Sequence, residues 1–532
     1  MAAKSKKKNR AVYSNKATKQ ENGKGIGEAA ASSSSNANTI SLIVAVLALL
    51  AGLRTPYIMN MYTNNKNNHD NPSSSSSSSS SSLTDDSPVE QVEQIYPAYT
   101  PCNSENLANW LHEQPVIGLH VLCFAYETTT TTTEAAHNHD DHNKLLHVKL
   151  YPNAVKQKYE EFTVPAAARM TTSTSYEALR ESLSSRLNLN QKQHFRAGDE
   201  MNWQMYTTSG EWLNCNVAAG VENEKELQSV CVEALVKAGM VLIFEGGVFL
   251  WPGVRVGFER VVNVTSRIDV PASDLDRQNL FSDRDLMFLQ HRGDDSKAKG
   301  STRAVTLKTL SLVPLVLSVE HFLGNDECDH IQKRALPSMR NSGVSHNDQD
   351  KGSPASKWRT SSSTFLQLRP NEQILHEIDR RVASLTRVPR DHQEQAQVLR
   401  YTHLQKYNSH HDYFDNNLYR TSDTTQRLIQ GGRRNRLATV FWYLSDIKEG
   451  GGGETIFPRV NYGPSPVDMA DCSVGLKVRP EKGKVIIFYS LLMNGDLNPY
   501  SLHGACPVLD EQATKWAANK WIWNSPMHFV EK

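Results

Sequence analysis

The stretch QVLRYTHLQKYNSHHDYFD places His410 and Asp412 two positions apart, and that spacing narrows what the chain can build. On a β-strand, residues i and i+2 share a face, so an imidazole and a carboxylate in this register can hold one metal ion together. Alone the pair is a weak sign, because His-x-Asp arises often by chance. A third candidate gives it weight: His503, in SLHGACPV, arrives after the strand-like run GKVIIFYSL. Two imidazoles and one carboxylate on one side of a metal form the non-haem Fe(II) triad, which leaves positions open for a co-substrate and O2. Zinc on the same ligands is the alternative.

Lys515, in TKWAANKWIW, favours iron. An oxygenase that uses 2-oxoglutarate must fix the far carboxylate of that co-substrate with a cation inside the barrel. A solvated lysine is the bland reading, and the flanking Trp516, Trp521 and Trp523 argue for a buried strand instead.

The chain has 532 residues, with 58 Lys+Arg against 57 Asp+Glu and a net charge of +1. That balance gives no support to a nucleic-acid binder working through bulk positive charge. Residues 1–39 are basic and lack apolar periodicity, as in a disordered cytoplasmic tail; a nuclear-localisation patch competes. ISLIVAVLALLAGL, from Ile40, is too short to span a bilayer unless it borrows flanking residues up to about position 60. A type II signal anchor is expected, with a cleaved signal peptide and a buried or interfacial segment as alternatives. Residues 61–98, including the unbroken run Ser73 to Ser82, suit a flexible stem. Under the anchor or the cleaved-signal reading the remainder is lumenal, in the endoplasmic reticulum or Golgi if anchored, and Asn263-Val264-Thr265 is a candidate glycosylation site there. Seven cysteines with no CxxC pair exclude a disulfide framework and a zinc knuckle, leaving room for one or two disulfides.

Residues 99–262 alternate strand-like runs (VIGLHVLCF, LLHVKLY, MVLIFEGGVFLWPG) with helix-like ones (SYEALRESLSSRL, EKELQSVCVEALVKAG), the pattern of a small α+β domain. A β-grasp-like arrangement is the expectation, and presentation of substrate its hypothetical task. His137, His139 and His142 sit in a polar loop and read as solvated. From about 310 to 530 helix-like segments (SVEHFLGNDECDHIQKRALPSM, ILHEIDRRVASLTRV) precede strand-like ones, which suggests a sheet-based barrel buttressed by helices. The fold class is therefore α+β.

From about Ser318 to Met527 the chain resembles the catalytic domain of prolyl 4-hydroxylases, particularly the plant and algal branch. Six pieces carry the resemblance in order: FLGNDECDHI, WRTSSSTFL, EQAQVLRYTHLQKYNSHHDYFD, RLATVFWYLSDIKEGGGGETIFP, GKVIIFYSL and SLHGACPVLDEQATKWAANKWIW. The resemblance implies a double-stranded β-helix (jelly roll) in which His410, Asp412 and His503 bind Fe(II). It implies that Lys515, helped by Tyr401 and Thr455, holds 2-oxoglutarate, that O2 is the oxidant and that ascorbate supports turnover. Tyr407 and Trp521 would line a proline site, with Arg359, Glu394 and Arg436 contacting the peptide backbone. The substrate implied is a proline-rich polypeptide, whose polyproline II conformation suits an aromatic-lined groove. Cys472 and Cys506 match positions that could pair, or could stay as buried thiols. Four glycines, Gly450 to Gly453, replace the usual shorter turn before Thr455; extra residues separate His503 from Lys515; and Trp523 stands where a His often follows. Two other readings remain: an oxygenase of a different side chain or small molecule, and a binding module for proline-rich chains without turnover.

Overall fold

The computed structural model describes residues 99–126, 145–165, 175–189, 203–213, 235–266, 302–369 and 372–527. The basic tail, the apolar segment from Ile40, the serine stem and the loop carrying His137, His139 and His142 lie outside these residues. So does most of EKELQSVCVEALVKAG. Among the described residues no helix is long and apolar enough to cross a membrane.

The first sheet comprises β1 (Leu119–Tyr126), β2 (Leu145–Tyr151), β3 (Glu160–Pro165), β4 (Gln204–Thr207) and β5 (Met240–Phe244), in the order β3-β2-β1-β5-β4. Helix α1 (Ser175–Leu187) covers one face, its Leu179 and Leu183 packing with Leu122, Phe124, Val241 and Ile243. The alternate residues of the same strands, among them Leu119, Val121, Leu242 and Phe244, enter a second core. Burial on both faces is why β1 and β5 read as continuous apolar runs. The central pair β1–β5 is antiparallel, so the β-grasp expectation, which needs a parallel central pair, is corrected.

The rest builds two sheets of the jelly-roll type. One has nine strands, in the order β6-β7-β8-β16-β13-β18-β11-β10-β9. Its members are β6 (Glu259–Thr265), β7 (Thr302–Leu312), β8 (Leu315–Val319), β9 (Arg340–Asn341), β10 (Ser362–Phe365), β11 (Gln397–Tyr401), β13 (Arg436–Tyr443), β16 (Val485–Tyr489) and β18 (Lys515–Trp523). Facing it, β12 (Tyr407–His410), β14 (Thr455–Phe457), β15 (Leu476–Val478) and β17 (His503–Ala505) form a four-stranded sheet, in the order β12-β17-β14-β15. Helices α2 (Asn325–Ala335) and α3 (Gln373–Thr386) buttress the large sheet, and α4 (Asp423–Ile429) precedes β13. Phe441, Tyr443, Ile486 and Phe488 face the small sheet, whereas Val440, Trp442, Val485 and Ile487 point outward into the core that also holds Leu119 and Phe244.

Two local expectations change. SVEHF does not begin a helix: Leu315–Val319 pairs with β16, and α2 starts only after Gly324, where the Glu327 side chain accepts from the Gly324 N–H at 2.8 Å. The boundary expected at 262 falls inside β6, which pairs along its length with β7. A hairpin whose strands lie so far apart in sequence leaves no local turn signal. The free edge of β6 is met by α3, where Ser384 Oγ accepts from the Thr265 N–H (3.0 Å) and Arg380 Nε donates to the Ser266 carbonyl (2.9 Å); such cover suppresses edge-to-edge pairing.

Contact between the first sheet and the catalytic sheets is close. A Cβ at Gly118, where φ is +90°, would lie 2.3 Å from the Asn494 nitrogen, so only glycine lets the chains meet. Trp251, 2% exposed, donates from Nε1 to the Leu385 carbonyl at 2.6 Å, and its backbone N–H donates to the Tyr489 hydroxyl at 3.0 Å. The described residues between 99 and 266 thus pack into one body with the two later sheets. Disulfides join Cys102 to Cys123 and Cys472 to Cys506, while Cys328 is free and buried. Trp251→Ala should cost about 3–5 kcal/mol in urea unfolding, within one transition. A loss under about 1 kcal/mol, or a separate transition for residues 99–266, would contradict the shared core.

Candidate active site

β12 and β17 are neighbours, and their register sets His410 opposite His503. Asp412 lies just past the end of β12. His410 Nε2 is 3.6 Å from Asp412 Oδ1, and His503 Nε2 is 3.5 Å from Asp412 Oδ2. Two donors each about 2.0–2.2 Å from one ion can stand up to about 4 Å apart, so the three fit a single metal. They are the metal-holding cluster found among the described residues. Each imidazole is aimed from behind: His410 Nδ1 donates to the Asn408 carbonyl and His503 Nδ1 to the Ser501 carbonyl, both at 2.9 Å, which leaves Nε2 free to ligate. Burial alone would raise the Asp412 carboxyl, but His503 and His410 beside it outweigh that and hold it well below the usual carboxylate range. Burial pushes the His503 imidazole down to about 4, against the pull of Asp412. An ionised carboxylate and neutral imidazole are the metal-binding forms.

Lys515 opens β18 and sits opposite Tyr401 on β11. It is 0% exposed, and its Nζ has no hydrogen-bond partner among the described residues. The nearest aromatic faces are Tyr401 and Phe441, with ring centroids 5.2 and 5.6 Å from Nζ. Burial draws the amine down to about 7, with Glu454 only partly opposing it. A buried, unpaired amine of this kind fits the far carboxylate of 2-oxoglutarate. Thr455 is buried as well, and its Oγ1 accepts from the Tyr443 hydroxyl at 2.8 Å. The four-glycine turn does not prevent this: at Gly452, φ is +75° and a Cβ would lie 2.2 Å from the Pro507 carbonyl, so glycine lets the loop pass closely beneath β17's exit.

A groove of about 810 Å³ opens beside the triad. Tyr407, Arg359, Arg436 and Trp521 line it, as the sequence suggested, together with Trp358, Phe365, Gln397 and Asn519, which it did not. Tyr407 stacks on His410 with centroids 3.7 Å apart, and the Arg359 guanidinium lies 4.6 Å from the Tyr407 ring. Glu394 is not among the lining residues. It pairs with Arg436 (2.6 and 3.0 Å) and accepts from Trp523 Nε1 at 2.7 Å. Arg436 in turn stacks 3.6 Å from the Trp521 ring and donates to the Asp412 carbonyl at 3.3 Å. The sequence also missed Thr439, whose hydroxyl lies 2.6 Å from Asp412 Oδ2, and Tyr443; both are inward positions of an apolar strand with no motif to mark them.

The state of Lys515 makes a measurable prediction. With a pKa of about 7 in the free site, the amine is largely neutral at pH 8.5, and a bound carboxylate restores its charge. Binding of 2-oxoglutarate to manganese-loaded protein should therefore take up about one proton at pH 8.5 and almost none near pH 5.5, where the amine is already charged. Calorimetry in buffers of different ionisation enthalpy reads this directly. Equal uptake at both pH values, or uptake unchanged in Lys515→Met, would remove Lys515 from the co-substrate site.

A profile of the 2OG-Fe(II) oxygenase superfamily matches residues 396–523. Prolyl 4-hydroxylase 2 of Arabidopsis thaliana is 36% identical over 223 residues, covering 41% of this chain and 69% of the relative. Probable prolyl 4-hydroxylase 3 of the same plant is 38% identical over 244 residues, covering 45% of this chain and 79% of the relative. A solved viral collagen prolyl hydroxylase from Paramecium Bursaria Chlorella virus-1, in its 2OG complex, is 25% identical over 39% of this chain and 95% of its own, at a TM-score of 0.28, too low to bear on the fold. On these relatives and the superfamily profile, the chain belongs to the prolyl 4-hydroxylase family of 2-oxoglutarate- and Fe(II)-dependent oxygenases.

Proposed function

We propose that this protein hydroxylates C4 of proline in proline-rich polypeptides, using Fe(II), 2-oxoglutarate and O2. The observation that carries the reading is the aromatic-lined groove beside the triad, to which Tyr407, Trp521, Trp358 and Phe365 contribute. Flat apolar faces suit a pyrrolidine ring. Three donors on lining residues, Trp358 Nε1, Arg359 Nη2 and Trp521 Nε1, are buried without a partner among the described residues. A polyproline II chain offers free carbonyls and few N–H groups, so it can satisfy donors of this kind.

Iron and 2-oxoglutarate, when bound, supply O2 activation coupled to decarboxylation of the co-substrate to succinate. The chain's own residues do the rest. His410, Asp412 and His503 hold the metal, Lys515 and Thr455 receive the far carboxylate, and Tyr407 and Trp521 orient the ring. Phe488 and Phe457, with centroids 4.4 and 5.9 Å from the His503 ring, keep water from that flank of the site. Arg436, bound to Glu394, to the Trp521 face and to the Asp412 carbonyl, ties the substrate side to the metal side. In this reading Arg359 and Arg436, which line the groove, meet peptide carbonyls.

The proposed setting is the lumen of the endoplasmic reticulum or Golgi, with the apolar segment from Ile40 as a type II anchor. Among the described residues, the Cys102–Cys123 and Cys472–Cys506 bridges agree with an oxidising compartment. Asn263 is exposed on β6, opposite the small Ala304, which leaves room for a glycan.

Two measurements test these readings. Mass spectrometry of a proline-rich peptide after incubation with the protein, Fe(II), 2-oxoglutarate, ascorbate and O2 should find one added oxygen atom on proline, absent with His503→Ala. Succinate without modified proline would point to a different substrate. Expressed in a eukaryotic secretory host, the chain should lose mobility-retarding glycan on peptide-N-glycosidase treatment, and Asn263→Gln should abolish the shift. No shift in the unaltered protein would count against the lumenal setting.

A further inference from the structure

We propose that β13, which contributes no ligand of its own, is the strand that aligns both halves of the reaction centre: Thr439 fixes the metal-binding carboxylate and Tyr443 fixes the hydroxyl offered to the co-substrate. The inference rests on the reading that Asp412 binds metal and Thr455 meets 2-oxoglutarate.

Thr439 and Tyr443 share the inward face of β13, with Phe441 between them. Thr439 is 0% exposed, and its Oγ1 lies 2.6 Å from Asp412 Oδ2. An ionised carboxylate only accepts, so the threonine hydroxyl donates. The same strand's Arg436 holds the Asp412 backbone carbonyl, so the residue is fixed at both ends. Without Thr439 the carboxylate, which follows the end of β12, would be left with only the two imidazoles to orient it. Thr439 is itself immobile, because its backbone pairs with Phe488 on one side and with Trp521 on the other.

Tyr443 is also 0% exposed, and its hydroxyl donates to Thr455 Oγ1 at 2.8 Å, with the Val478 carbonyl at 3.4 Å as second acceptor. Burial holds the phenol well above its usual pKa, so it remains a donor across the working range. Accepting that hydrogen bond leaves the Thr455 hydroxyl free to donate one of its own to an anion. The two hydroxyls are four residues apart on one rigid strand, so metal and co-substrate are set in one frame.

The test separates the two sites without turnover. Manganese affinity is titrated first, then 2-oxoglutarate affinity of the manganese-loaded protein, for Thr439→Val, Thr439→Ser and Tyr443→Phe. Thr439→Val, which keeps shape and removes the donor, should weaken manganese binding about 10- to 100-fold, with Thr439→Ser restoring most of it. Tyr443→Phe should leave manganese binding unchanged and weaken 2-oxoglutarate about three- to tenfold. Wild-type manganese affinity in a folded Thr439→Val, or equal loss of both affinities in Tyr443→Phe, would overturn the proposal. Failure of the unaltered protein to bind manganese would instead sink the triad itself.

Discussion

The register of β12 against β17 is the constraint on which the chemistry depends. It sets His410 opposite His503, and the Asp412 that follows β12 completes the donor set. Because side chains alternate along a strand, a slip of one residue would turn a ligand away from the site. The four-stranded sheet is short and gains little from its own ladders. Its position is held by the nine-stranded sheet, whose inner residues Phe441, Tyr443, Ile486 and Phe488 pack against Phe457 and Val478.

That large sheet is supported from behind. Its outward residues share one apolar core with α2, α3 and the first sheet, so residues 99–266 stiffen the wall from which Lys515 and Trp521 project. Rigidity matters most at Lys515. A buried amine with no partner is unfavourable, and it persists because the packing around Tyr401, Phe441 and Ala517 is decided elsewhere. The site therefore keeps an unpaired buried amine, which in the proposed reading 2-oxoglutarate would satisfy. In the groove, the unpartnered donors of Trp358, Arg359 and Trp521 are a smaller version of the same arrangement.

Much of this could be read from the chain because strand periodicity is local. His410 and Asp412 were singled out by their two-residue spacing, although β12 ends at His410 and Asp412 reaches the donor set from the bend beyond it rather than from a shared strand face; Lys515 was legible from its flanking tryptophans, and α3 from its apolar face. What failed to register depends on partners distant in sequence. The β6–β7 hairpin has no short turn between its strands, and the end of β8, Ser318–Val319, overlaps the start of a segment that reads as helix. The antiparallel order of the first sheet is set by tertiary packing, as is the Cys102–Cys123 bridge. Glu394 and Arg436 were expected to face the peptide together; their charges satisfy each other first, and only Arg436 lines the groove. Thr439 and Tyr443 are hydroxyls within RLATVFWY, and nothing in that run distinguishes them from β-sheet filler until Asp412 and Thr455 are placed beside them.

The central claim is that one metal ion sits among these three side chains with the co-substrate reaching towards Lys515. Crystals of the protein grown with manganese and 2-oxoglutarate, with data collected at the manganese absorption edge, test it most directly. The account predicts a single strong anomalous peak within bonding distance of His410 Nε2, His503 Nε2 and the Asp412 carboxylate, with the far end of 2-oxoglutarate on Lys515 Nζ. A peak away from the three, or a co-substrate carboxylate bound elsewhere while Lys515 stays unpaired, would contradict it.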